Sequence, residues 1–206
     1  MVRKGTVGLT TGSAPSGNTA LLWSNSVSLN SGEVIAVRPQ LPATISGVQG
    51  NVGQPFAQIS GTSSRYSGSD GGTFVDYYVF SSALISQAPS PGLQVWRSNG
   101  NLSYDSGTKP LHIVDVVDGE GTFTYQSGRL YACIHSVQKF QAFDPGGSAA
   151  RMVGNSRNMI VGTPNGIRIT YGVTDTLQWP ATSTNYASLT PFSTMSRHII
   201  CDVTNY

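Results

Sequence analysis

The chain has 206 residues, 12 Lys and Arg against 10 Asp and Glu, and a formal net charge of +2. Charged residues make up 11% of it, against roughly 25% in an average soluble domain. The basic residues are scattered, with no Lys/Arg run interleaved with aromatics, and no apolar run reaches the ~18 residues of a membrane span, so neither nucleic-acid binding nor membrane insertion is expected.

The length is enough to bury a core without staples. With 24 Gly and 11 Pro among many Ser, Thr and Asn, the solvated surface must be largely uncharged amide and hydroxyl. Such a surface repels its own copies weakly, so extended contact between subunits is not opposed electrostatically.

Residues 1–33 read as a low-charge lead-in to a single domain over 34–206. Arg3-Lys4 is followed by a segment too polar for a signal-peptide core, so no cleaved export signal is expected. Short strands are predicted at 20–23 and 27–29. From 34 onward the strand signals are dense, at 34–38, 43–48 and 56–60, with Pro39, Pro42 and Pro55 between them, where prolines fit a β protein. A long polar loop spans 60–72. The aromatic and β-branched run 73–80 is a strong strand.

After a loop at 86–91 the chain gives 93–96, a turn at 98–101, 102–104, a bend at Asp105-Ser106-Gly107, and the apolar run 111–117. Alternation broken by Asn99-Gly100 predicts consecutive antiparallel strands joined by tight turns, with Leu93 and Val95 facing a core. Further strands are predicted at 122–125, 129–135, 159–161, 166–171, 176–179 and 198–203. The segment 144–148 is a break and 180–191 a second polar loop. The nearest helical period, 137–143, is too short and ends at Pro145. Strands at this spacing, with turn clusters between them, predict an all-β fold: an antiparallel β-sandwich with long polar loops.

Chemistry-bearing motifs are sparse. His112, His135 and His198 have no second ligand at metal spacing and read as polar-face or satisfied core histidines. There is no G-x-S-x-G elbow, and no carboxylates are paired by motif, so no catalytic residue is expected and the chain does not read as an enzyme. Asp115, Asp118 and Glu120 with Gly119 and Gly121 could form a calcium-type oxygen cage, but a hairpin turn at Asp118-Gly119 explains the same residues. No metal or other cofactor is therefore expected. Cys133 and Cys201, both in apolar runs, read as buried free thiols. Trp23, Trp96, Trp179, Tyr77 and Tyr131 read as core or cross-strand aromatics. Tyr66 and Tyr186 differ, because they sit in the two polar loops. With Asp70 and Asn185 they are the candidate contact residues, in loops with the composition of adaptable recognition surfaces.

One stretch of wording is distinctive. Tyr78-Val79-Phe80, Gly92-Leu93-Gln94-Val95-Trp96, Asn99-Gly100, Tyr104-Asp105-Ser106 and Leu111-His112-Ile113-Val114-Asp115, with Ile35-Ala36-Val37-Arg38-Pro39 upstream, resemble the small tail-tip and fibre-associated proteins of tailed bacteriophages and prophages. The resemblance covers 34–39 and 78–117, less than a quarter of the chain, and departs from the usual wording at Ser98-Asn99 and Lys109-Pro110. It implies a virion structural protein of the distal tail, assembled in the host cytoplasm. The expected partners are hub or fibre proteins and further copies of the chain, three or six in number, with a host-surface glycan or receptor met by the loops. The alternative is a carbohydrate-binding, lectin-like module acting alone. A glycan depolymerase ranks third, because the few carboxylates are unpaired.

Overall fold

Short runs of β-branched and aromatic residues, punctuated by Gly and Pro, can bury one face each only by stacking as sheets. The computed structural model describes residues 3–11, 23–49, 56–61, 74–81, 92–100, 102–105, 110–137, 140–143, 151–179 and 195–206, and these form strands and turns with no helix.

The first sheet has six strands in the spatial order β1 (Arg3–Gly8), β7 (Phe74–Ser81), β4 (Glu33–Pro39), β12 (Tyr131–Val137), β16 (Arg197–Asp202) and β10 (Ile113–Asp118). Every neighbouring pair is antiparallel. The second sheet runs β11 (Gly121–Thr124), β15 (Gly166–Trp179), β14 (Arg151–Thr163), β5 (Ala43–Gln49), β6 (Phe56–Gly61), β3 (Trp23–Ser28) and β2 (Thr10–Thr11), with β13 (Phe140–Phe143) also paired to β14. The architecture is thus the antiparallel β-sandwich that the pattern predicts. The lead-in residues 3–8 and 23–28 supply strands to both sheets.

The core lies between the sheets. Ile35 and Val37 of β4, Val75 and Val79 of β7, Cys133 of β12 and Ile200 of β16 meet Ile45, Ile59, Ile160, Ile167 and Ile169 from the second sheet. Each such side chain stabilises by about 1.5–3 kcal/mol on full burial, so this layer dominates the few surface ion pairs. A smaller apolar cluster occupies the outer face of the first sheet: Ala36, Tyr78, Phe80, Ala132, Cys201 and Val203, with Leu111 and Tyr206 against it. Tyr206 packs edge-on to Phe80 at 5.6 Å between centroids, and its hydroxyl donates to the Pro110 carbonyl. Because β4 is covered on both faces, Ile35, Ala36 and Val37 are all buried, and the strand reads as a continuous apolar run rather than an alternating one.

Three expectations change. The runs 166–171 and 176–179 belong to one 14-residue strand, β15, which returns along the 13-residue β14 through a two-residue turn at Pro164-Asn165. The polar wording of 151–158 hides the first half of β14. Residues 140–143, within the segment closest to a helical period, are strand β13. The bend at Asp118-Gly119 does not make a hairpin. It carries the chain from β10 in the first sheet to β11 in the second, with Gly119 at φ 77° and its N–H bonded to the Ser196 carbonyl.

A fourth change concerns the hairpin. Strands β8 (Gln94–Trp96) and β9 (Leu102–Asp105) pair across the Asn99-Gly100 turn as expected, with Gly100 at φ 79° and its N–H donating to the Arg97 carbonyl at 2.9 Å. They pair with neither sheet, however, and the next run becomes β10, joined to β16. Leu93 and Val95 consequently face solvent, 66% and 46% exposed, rather than a core. Alternation gives a strand two distinct faces; only a second layer makes one of them an interior.

Candidate functional site

The loop residues singled out from sequence, Tyr66, Asp70, Asn185 and Tyr186, lie outside the described residues. The described residues offer two other features that are unusual for a sandwich: bare apolar side chains at one end of the first sheet and on the hairpin, and a buried histidine pair.

β10 is the edge strand of the first sheet. Strand alternation places Val117 in the core, and Val116 on the outer face beside Ile199 of β16 and Ile134 of β12. Ile113, Val114 and Val116 are exposed, Ile113 by 49% and Val116 by 53%. An apolar edge is a template for unwanted strand addition. Here the edge is blunted: the ladder shifts register between Ile113 and Asp115, and the Asp115 carboxylate accepts the Val116 N–H at 2.8 Å. Backbone pairing is thereby hindered while the apolar side chains stay open. The hairpin adds Val95 and Trp96, the latter 57% exposed, with Arg97 beside them.

The acidic cluster around the bend is dispersed among separate partners. Asp118 takes a two-pronged contact from Arg197 at 2.7 and 3.0 Å, which holds its carboxyl below the usual range. Glu120 accepts the Tyr171 N–H, and Asp115 also accepts the Tyr125 hydroxyl at 3.1 Å. These carboxylates are taken by separate partners and do not converge as an oxygen cage. Among the described residues no three His, Cys, Asp or Glu gather in a metal-binding group.

The histidines depart from the expectation of satisfied core residues. Ladder register sets His135 of β12 directly opposite His198 of β16, with Nδ1 to Nδ1 at 2.9 Å and ring centroids 4.8 Å apart. One ring must donate and the other accept. His198 is fully buried, and the Nε2 atoms of both rings are sealed from solvent without a hydrogen-bond partner. Burial drives both imidazoles well below their ordinary range; the facing His198 and Arg157 push His135 further, while Asp118 opposes the shift in His198. The pair is neutral at pH 7. His112 is separate: it is exposed and 3.9 Å from Asp202.

Asp202 anchors the tail that covers the outer face. Burial alone would raise its carboxyl, but hydrogen bonds from the Thr204 hydroxyl and N–H, together with Arg129, outweigh that and hold it ionised. The thiols are inert for a related reason. Cys133 and Cys201 are free and buried, and burial pushes both up, Cys201 to about 12.

Neither the histidine pair nor the open edge could be found from spacing alone, because each depends on which strands become neighbours. The weak sequence signal was the dense apolar wording of 111–117, broken only by His112 and Asp115, at a place where an edge strand should alternate. No protein-family model matches the chain, and neither a curated protein nor a solved structure does.

Proposed function

We propose that this protein is a structural subunit of the distal tail of a bacteriophage, present in several copies and packed against hub or fibre proteins. Its mechanism is geometric: the sandwich is a rigid spacer, and its uncharged polar and apolar faces make the contacts. The observation that carries the reading is the bare apolar surface, Val95 and Trp96 on the hairpin with Ile113 and Val116 on β10, in a chain with few charges. Surface of this kind marks interaction sites. The resemblance of 34–39 and 78–117 to tail-tip proteins supplies the setting, and the segments that carry it are sandwich strands, the hairpin and the β10 edge. The glycan-binding alternative rests on Tyr66 and Tyr186, and no described residue favours it.

Antibody labelling of purified phage particles tests the proposal. Gold at the tail tip, together with the chain in particle mass spectra, is the expected result. Particles that lack the protein while the lysate contains it would remove the tail reading.

A further inference from the structure

Among the described residues two apolar surfaces stay open, and neither covers the other. The first is the β8–β9 hairpin, where Val95 and Trp96 are both exposed on opposite faces of the strand, with the exposed Arg97 at its turn. The second is the β10 edge, where Ile113, Val114 and Val116 are exposed around the equally exposed Asp115. Their charges are opposite: a cation beside the hairpin apolar pair, and an anion in the middle of the β10 apolar set. An isolated two-stranded hairpin is marginal in water and gains most from a surface to lie on. Trp and Arg are also among the residue types enriched at interface hot spots.

We infer that the hairpin of one copy docks onto the β10 edge of the next copy, so that the protein self-assembles head to tail through two different patches. The contact is side chain to side chain. The ladder irregularity at Ile113/Asp115 and the Asp115 cap on the Val116 N–H oppose strand addition but leave the side chains of β10 open. Trp96 covers Ile113 and Val116 on the outer face, while Arg97, the next residue, approaches Asp115 from the other side of the β10 edge. Because the patches differ, the interface is heterologous, and it closes into a ring where the rotation between copies allows. The inference rests on the multi-copy part of the tail proposal. Assembly of the purified chain tests it apart from residence in a particle, so each can fail alone.

The experiment is light scattering coupled to size exclusion on the full chain, whose monomer mass is 21.7 kDa. The wild-type protein is expected at a multiple of that mass. Trp96→Asp and Val116→Asp should each run as monomers. Their equimolar mixture should give a species of twice the monomer mass, because one intact hairpin still meets one intact edge. Arg97→Glu should weaken assembly at low salt, with the difference from wild type closing at high salt. Circular dichroism verifies folding, and Trp96→Ser with Val116→Thr replaces any aspartate variant that fails to fold. A wild-type protein that stays monomeric overturns the inference, as does either surface variant assembling normally. A mixture that remains monomeric also overturns it, since the contact would then join like with like.

Discussion

His135 and His198 face each other across the β12–β16 ladder with 2.9 Å between their Nδ1 atoms, and neither Nε2 has a partner. The folded state therefore holds two imidazoles whose protonation is resisted by burial and by each other. Their folded pKa values lie below the ordinary 6.5, so the unfolded chain takes up protons first as the pH falls. Stability is complete above about pH 6.5 and declines below it. Between about pH 6.5 and about pH 4.5, before the carboxylates titrate, the loss should reach at least about 2 kcal/mol, since each tenfold rise in proton concentration favours the protonated form by about 1.4 kcal/mol per histidine. Urea denaturation across this range measures it. The double variant His135→Leu/His198→Leu should flatten the profile, whereas a pH-independent wild type would contradict the neutral pair.

Gly166 opposes Thr124 in the β11–β15 ladder, and a Cβ there would lie 2.0 Å from the Phe123 carbonyl oxygen. Backbone cannot yield as a side-chain tip does. Gly166→Ala should cost about 3 kcal/mol by overpacking, read as a lowered urea midpoint. Gly119→Ala meets open space and only the penalty of its positive φ, about 1 kcal/mol. The two costs should therefore rank in that order.

Cys133 lies opposite Ile200, and Cys201 opposite Ala132, which puts the two thiols on opposite faces of the first sheet. They cannot bridge in the folded protein. Ellman's reagent should find almost no reactive thiol in the native state and two after denaturation. Mild oxidation should leave the melting temperature unchanged.

Removing the Asp202 carboxylate strands the Arg129 guanidinium and the Thr204 N–H together. Asp202→Ala should cost about 3 kcal/mol, since the loss includes polar groups left unpaired. It should also loosen residues 203–206, seen as faster amide exchange there. Equal exchange in variant and wild type would show that Asp202 does not hold this segment.

Hydrogen exchange should separate the hairpin from the sandwich. Amides of β8 and β9 belong to a two-stranded unit and should exchange orders of magnitude faster than those of β12 and β16 at dilute, monomeric concentration. If both sets exchange at one rate, the hairpin is part of the cooperative unit.

Much of the sandwich was legible because local chemistry and burial agree in it. Pro39 closes β4, Pro42 and Pro55 precede β5 and β6, and β7 is rich in aromatic and β-branched residues. The turn at Asn99-Gly100 needs the positive φ that its glycine supplies. Legibility failed wherever the answer depended on a distant strand. Leu93 and Val95 alternate as core residues do, yet whether a layer covers them is decided elsewhere in the chain. Asn158 is a buried polar residue in the middle of β14, a position that no hydrophobic period would mark. His135 and His198 stand 63 residues apart, and only the register of β12 on β16 brings them together. For the candidate contacts the loss is simpler: Tyr66, Asp70, Asn185 and Tyr186 fall outside the described residues.

The order of strands in the first sheet also imposes a timetable. β16 lies between β12 and β10, so β10 has no sheet to border until residues 197–202 have been synthesised. A nascent chain short of that point holds the β10 sequence but not its surface. On the proposed head-to-tail contact, a copy still on the ribosome would offer no edge to dock on, and joining would wait until the sandwich is complete. The long sequence separation of these pairings makes that closure intrinsically slow.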